Sequence, residues 1–345
     1  MMSNHTQISN SEQSNFTSNL NSHVKGLNVD YYYHLGLNST FDLKSNFGDV
    51  KYVLMCGSAV RAYEIIQRVI QSLKIRLPVG QTLAPIGKTE RYSMFKVGPV
   101  ISISHGMGKP SASIMLHEIT KLLSAAGVYD PIYIRIGTSG GVGIEGGTVV
   151  IANGVVNGLL QPYHPVAVLG KIINRPAKVD LKIAKEIYDL RGDIPAIMGT
   201  TMSTDDFYEG QARIDGAICD YDMEDKLEFL KRAYDAGVRN IEMEGNCCAA
   251  FCTRLNIHFV MVCVAYLNRL NGDGVSASPQ QLTQYESNAI TLVLRYIQKK
   301  MGLEPTCDSQ GEFSIPHALH SKPLDTAIIN SGIEQILTEE EKVAK

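Results

Sequence analysis

Between residues 50 and 267 the chain returns repeatedly to short runs dense in Val, Ile and other apolar residues. They are "VKYVLMCG" (50–57), "MFKVGPVISISHG" (94–106), "PIYIRIGTSGG" (131–141), "TVVIANGVV" (148–156) and "IHFVMVCVAYL" (257–267). Apolar runs of this length without strict alternation read as strands buried on both faces, and such strands need helices above and below them. The segments between them supply helices. Residues 58–73, 111–127, 177–192 and 278–301 carry helical periodicity, with Ser58 placed as an N-cap and Gly127 as a stop. Residues 94–106 read as two strands turning at Gly98 and Pro99, and residues 238–255 as strand, turn and helix. The pattern predicts one α/β domain around a largely buried central sheet.

Both ends differ in kind. Residues 1–26 are mostly Ser, Asn, Gln and Thr, with too little apolar surface to offset ordering entropy, and read as a disordered tail. Residues 303–345 read as a C-terminal extension, partly helical or mobile, in which Ile329, Ile333, Ile336 and Leu337 share a helical face.

A net charge of −3 gives no electrostatic footprint for nucleic acid. There is no apolar stretch of membrane-spanning length and no apolar signal-peptide core at the N-terminus. The seven cysteines form no CxxC pair and no Cys/His ligand spacing. They read as reduced thiols of a cytoplasmic protein without a metal site.

Two short motifs invite a function and fail on context. "GTSGG" (137–141) matches a nucleophile elbow with Ser139 as nucleophile, which needs a strand-to-helix turn. "GVGIEG" (141–146) matches a dinucleotide fingerprint, which needs a helix directly after it. The apolar run at 148–156 puts a strand there instead. The glycines are better explained by close backbone approach to a small ligand.

What remains clusters at the carboxyl ends of strands, where open α/β sheets bind ligands. In "CGSAVR" a helix opens at Gly57 and Ser58 with Arg61 in its first turn. The helix dipole disfavours a cation there unless an anion lies between them. Arg135 sits inside an apolar strand and needs a partner, either a structural carboxylate or a ligand anion. Thr138 and Ser139 follow with hydroxyls. Glu242 and Glu244 in "NIEMEGN" read either as helix caps or as acceptors for a vicinal diol. "FYEGQAR" (207–213) reads as an extended polar loop. There Gln211 and Arg213, two apart, address one ligand edge, with Gly210 supplying freedom to turn. An oxyanion site, a diol acceptor and a polar edge are the parts of a nucleoside plus phosphate.

These segments, together with "RYSMFKVGPVISISHGMGKPS" and "VCVAYLNRLNGD", are similar in order and spacing to the nucleoside phosphorylase family over roughly residues 30 to 302. Within it they most resemble the uridine phosphorylases of the animal, dimeric type. "FYEGQ-x-R" is the most specific, because it separates pyrimidine from purine members. The resemblance implies a mixed, barrel-like sheet flanked by helices in a phosphorylase domain spanning 27–302. It implies reversible conversion of uridine and phosphate to uracil and α-ribose-1-phosphate, in pyrimidine salvage or catabolism. Phosphate is a co-substrate in that scheme and no cofactor or metal is needed. By the same resemblance Gly57, Arg61, Arg135 and Thr138 hold phosphate, joined by Arg91 from a neighbouring subunit. Met107, Met243 and Glu244 contact ribose, with His34 lent across the homodimer. Phe207, Gln211, Arg213, Ser139, Gly140 and Arg269 surround the base. Arg213, Gln211, Arg135 and Glu244 are the residues expected to carry catalysis.

The chain departs from relatives at Ala59, where proline is usual, and at Ala265 and Tyr266, where Thr and an aliphatic residue are usual. Tyr266 is expected to alter the base pocket. Two further readings are a purine-directed enzyme or nucleosidase of the same fold, and a non-catalytic nucleoside-binding paralogue. The first lacks its usual aspartate at the segment that here gives Asn268 and Arg269. The second predicts loss of Gln211, Arg213, Glu244 or a phosphate arginine, and all are present.

Overall fold

The structure, a computed structural model, describes residues 16–77, 83–87, 89 and 91–305. The extension beyond residue 305, with its expected helical face, and the first fifteen residues lie outside the described residues. The described chain opens with a 3-10 turn (Phe16–Asn19) and the short helix α1 (Ser22–Lys25). Phe16 is buried in the core, and the Asn19 amide donates to the Leu255 carbonyl at 3.2 Å. Folding therefore begins inside the stretch that composition marks as a tail. One aromatic side chain anchors it, and an average over a polar segment hides one aromatic.

A two-stranded ribbon, β1 (Tyr31–Tyr32) and β2 (Leu37–Asn38), and α2 (Leu43–Phe47) lead into the first central strand. That strand is β3 (Tyr52–Cys56), followed by α3 (Ala59–Ser72), whose Arg61 amide donates to the Ser58 hydroxyl at 3.3 Å. The expected cap is real, and it closes the turn without a proline at Ala59. β4 (Met94–Val97) and β5 (Val100–Ser104) turn at Gly98, which has φ +50°. α4 (Lys109–Ala125) starts two residues earlier than expected because Pro110, with no amide to satisfy, fits its first turn.

β6 (Ile132–Gly141) and β7 (Val149–Asn157) follow, then a hairpin of β8 (Tyr163–Val168) and β9 (Lys171–Pro176). α5 (Leu181–Asp189) is shorter than its periodicity suggests, since Asp180 caps it. β10 (Ala196–Ser203), α6 (Met223–Asp235) and β11 (Val238–Glu242) come next. α7 (Gly245–Leu255), β12 (His258–Asn268) and α8 (Pro279–Lys300) complete the body. The hairpin, β10 and α6 are absent from the sequence reading, although α6 carries a capping box between Asp222 and Asp225.

The main sheet runs β11-β10-β7-β12-β6-β3-β5-β4, and β11 also bonds to β6. The strands β6, β12, β7, β10 and β11 therefore close into a five-stranded mixed barrel, from which β3, β5 and β4 flare. The sheet separates two apolar layers. Along β3, Val53 and Met55 face the layer of α4 and α7, while Tyr52, Leu54 and Cys56 face that of α3 and α8. Both faces are buried, as the continuous apolar run requires. Barrel closure also decides where the glycine-rich end of 131–141 lies. The 137–141 segment is not a turn after β6 but its last half, because Gly140 and Gly141 pair with Ile241 and Asn240 of β11.

Candidate active site

A cavity of about 330 Å³ opens where β3, β6, β11 and β12 end. It is lined by all the expected site residues except His34 and Arg91. At one end α3 presents its N-terminus beside Gly57. Arg61 already carries a carboxylate of the protein: Glu286 of α8 accepts from Arg61 Nε at 3.1 Å and from Nη2 at 2.9 Å. Burial alone would lower the Arg61 pKa, and the Glu286 carboxylate more than reverses this. The Tyr266 hydroxyl donates to the same carboxylate. The phenol thus points to the Arg61 end, while Tyr266 also lines the cavity together with Leu267 and Arg269.

On the cavity floor Arg135 is buried between two carboxylates. Its Nη2 lies 2.8 Å from Glu242 Oε2 and also pairs with Glu244. Arg135 Nε is buried without a partner, and Nη1 faces the Cys263 sulfur at 3.5 Å. The two acids are held differently, although both line the cavity. Glu242 accepts from the Ser203 hydroxyl, from the Glu244 amide at 2.8 Å and from the Gly245 amide at 2.9 Å, so it caps α7. Glu244 accepts from the Gly108 amide at 2.5 Å and lines the cavity. Burial pushes both carboxyls up, and Arg135 brings Glu244 below its ordinary range while Glu242 stays above. His105 lies behind this group, fully buried, with Nδ1 at 3.0 Å from the Gly106 carbonyl. Burial and the Arg135 charge push its pKa down to about 4, so the ring is neutral.

The other end is the 207–213 loop. It is not extended. Glu209–Gln211 form a 3-10 turn, and Ala212 takes a left-handed φ of 54°. That kink, rather than alternation along a strand or freedom at Gly210, brings Gln211 and Arg213 to the same cavity. The Ala212 methyl is buried in a cluster with Leu230 of α6, which holds the kink in place. Gln211 is buried, and its Oε1 accepts from Arg269 Nη2. A guanidinium can only donate, so Arg269 fixes which end of the amide is oxygen. Arg213 lies 4.7 Å from the Phe207 ring centre and bonds Asp215 through Nε at 2.8 Å.

Asp273 ties this end together. It accepts from Arg269 Nη1 at 3.4 Å, from buried Lys226 of α6 at 2.6 Å and from the Ile214 amide at 3.3 Å. Asp273, Lys226 and Glu286 escape the sequence reading because each looks like an ordinary charge on a loop or helix. So does Glu118, which bonds His34 Nδ1 at 2.7 Å and its amide at 2.8 Å across 84 residues.

His34 and Arg91 lie away from the cavity. The His34 ring is held by Glu118, and Arg91 is exposed, its amide bonded to Thr89 Oγ1 at 3.0 Å. Met107 lines the cavity and is 77 % exposed. Ser139 Oγ donates to the Val264 carbonyl at 3.1 Å and accepts from the Asn240 amide at 3.0 Å. With no base beside it, Ser139 is no nucleophile. The glycines of this segment are also required by the protein itself, and Gly137 and Gly140 line the cavity as well. A Cβ at Gly137 would lie 1.9 Å from Arg135 Nη1, one at Gly140 2.3 Å from Arg269 Nε, and one at Gly143 2.5 Å from the Tyr234 ring.

A larger hollow of about 540 Å³ lies behind the loop, lined by Leu159, Phe229, Asp205, Asp206, Glu209 and Asp225 among others. Its carboxylates repel anions, and it lacks the arginines and the helix N-terminus of the smaller cavity. Among the described residues no group of three His, Cys, Asp or Glu side chains could hold a metal ion, and no helix is long and apolar enough to cross a membrane.

Comparisons with known proteins agree with this geometry. The sequence model of the Phosphorylase superfamily matches residues 51–298. Mouse "Uridine phosphorylase 2" is 42% identical over 84% of this chain and 90% of its own length. A Schistosoma mansoni uridine phosphorylase solved in complex with thymidine superposes with a TM-score of 0.79. It is 38% identical and covers 83% of this chain and 99% of its own. "Inactive uridine phosphorylase B" of the same organism is 37% identical over 82% of this chain and 97% of its own length.

Proposed function

The chain belongs to the phosphorylase superfamily, and from that premise we propose that it is a uridine phosphorylase, a pentosyltransferase that interconverts uridine plus phosphate with uracil plus α-ribose-1-phosphate. The observation that carries this reading is the Arg269–Gln211 contact beside Arg213, in one cavity with Arg61, Arg135 and Glu244.

Uracil offers N3–H as a donor and O2 and O4 as acceptors. The Gln211 amide oxygen has a second lone pair for N3–H, its NH2 donates to O2, and Arg213 donates to O4. Cytosine reverses the pattern at N3 and at its 4-position and leaves buried groups unpaired, which is the kind of mismatch a hydrogen-bonding site rejects strongly. Glu244, ionised against Arg135, accepts from the ribose 2′ and 3′ hydroxyls next to Met243. Gly57, Arg61, Arg135 and Thr138 hold phosphate beneath C1′. As the glycosidic bond loosens, the sugar becomes cationic above the phosphate and the base becomes anionic against Gln211 and Arg213. The site gains most by stabilising those developing charges. Phosphate then adds to C1′ with inversion, and holding both reactants together removes much of the entropic barrier.

Arg91 and His34 complete the phosphate and 5′-hydroxyl contacts when lent by a second copy, which makes the enzyme a homodimer with shared sites. Its reaction needs no metal or organic cofactor, and it works in cytoplasmic pyrimidine salvage or catabolism. Asp273 gives no support to a purine-directed reading, since it is bound to Lys226 and Arg269 and does not line the cavity. The likeness to an inactive homologue makes a direct assay decisive. Incubated with uridine and phosphate, the protein is expected to release uracil, and without phosphate to release none. Absence of turnover, or turnover independent of phosphate, would falsify the reading.

A further inference from the structure

Glu286 lies outside the cavity, yet it determines how Arg61 meets it. Arg61 is the third residue of α3, where the positive end of the helix repels a guanidinium. A long cation in that position has little reason to keep one rotamer. Glu286 supplies that reason. Its carboxylate takes the Nε–H and one Nη2–H of Arg61 in a two-point fork, at 3.1 and 2.9 Å. The Tyr266 hydroxyl donates to Oε1 of the same carboxylate and anchors it to β12. The fork leaves the Nη1 edge of Arg61 free, and Nη1 lies 3.9 Å from where a Gly57 Cβ would stand, at the cavity wall.

We propose that Glu286 and Tyr266 are positioning residues that aim the free edge of Arg61 at a tetrahedral oxyanion bound between Gly57 and Arg61. The inference rests on the phosphorylase reading for the identity of that oxyanion as inorganic phosphate. Neither residue touches substrate through this network. They act by fixing the direction and charge of a group that does.

The test separates phosphate from nucleoside. For Glu286→Ala the phosphate KM rises about tenfold or more, while the uridine KM stays within about twofold of the parent. Glu286→Gln, which keeps one acceptor oxygen, restores part of the loss. Tyr266→Phe, nearly isosteric and the safer variant for folding, raises the phosphate KM about threefold. A second readout needs no turnover: phosphate added without nucleoside raises the Tm of the parent, and this increment shrinks in Glu286→Ala and in Tyr266→Phe. If the parent fails to cleave uridine but keeps a phosphate increment that Glu286→Ala removes, the uridine reading fails and the positioning role stands. An unchanged or lowered phosphate KM would overturn it by making Glu286 a bystander or a competitor for Arg61. An equal rise in both KM values would reduce it to general loosening, and a parent that phosphate does not stabilise would sink it outright.

Discussion

At one end of the cavity Arg135, Glu242 and Glu244 are buried against one another beside the barrel strands, with the partly exposed Arg61–Glu286 pair next to them. At the other end the wall is a loop whose arginine leans on a half-exposed aspartate, Asp215. Arg135, Glu242 and Glu244 are almost fully enclosed, so their arrangement is set by the fold and is there before a ligand arrives. Residues 207–213 are set by side-chain bonds to a loop: the Arg269–Gln211 pair, the Asp206 carboxylate on the Gly210 amide, Glu209 on the Asp220 amide, Tyr221 on the Arg213 carbonyl, and the Arg213–Asp215 pair, with the Ala212 methyl in the Leu230 cluster. Under the proposed function, affinity for the anion comes from the scaffold, whereas choice of base depends on side-chain bonds to one loop.

The sharpest way to break this contrast is Gln211→Leu. It removes the hydrogen bonds to the base and leaves Arg269 Nη2 without its acceptor. The expected fall in kcat/KM for uridine is about 10²–10³-fold, comparable to losing a key charge-stabilising donor. The Tm increment from phosphate alone should persist. If that increment vanished too, the two ends would be one coupled unit.

Acid strains the opposite end. His105 titrates near 6.5 when unfolded and is pushed down to about 4 in the fold. Between those values the unfolded chain holds the extra proton, so stability is whole above about pH 6.5 and drains as pH falls toward 4. At pH 5 the loss is about 2 kcal/mol relative to pH 7.5. Urea unfolding of the parent and of His105→Gln at the two pH values measures it. The variant should lose less than the parent, and parallel losses would remove His105 from the account.

The smallest effect belongs to Asp215→Asn. An exposed ion pair contributes at most about 1 kcal/mol, so the uridine KM should move by less than about fivefold. A large change would show that the loop end is more tightly preorganised by its surface pair than its exposure implies.

Much of this molecule is legible in its residues. β3 with α3, the Gly98 turn, β11 with α7, and α8 with its Ser278 cap follow from apolar runs and capping residues that act locally. Closure of the barrel does not, because it depends on Asn240 meeting Gly141 across 99 residues with no local signal. At the site, Gln211 and Arg213 stand out as a polar pair, but nothing short of the structure reveals that Ala212, not Gly210, makes the turn. The glycines of 137–143 announce close approach without saying that Arg135, Arg269 and Tyr234 are what approaches. Carboxylates that position other residues are the least legible. Glu118, Asp273 and Glu286 acquire meaning only from partners 84, 47 and 225 positions away.

The triple pairing of β6 also orders events in time. Arg135, Thr138 and Ser139 lie early in the chain, yet β6 finds its partners β11 and β12 only after residues 238–268 exist, and Arg61 finds Glu286 later still. At the pace of protein synthesis, roughly 5–20 residues per second, Arg61 waits on the order of ten seconds for its carboxylate. A nascent chain with β3 and β6 already made thus holds apolar strands without their neighbours and arginines without their counter-charges. The cavity walls are complete once residue 275 exists, but Arg61 is held in place only after the last long helix has emerged.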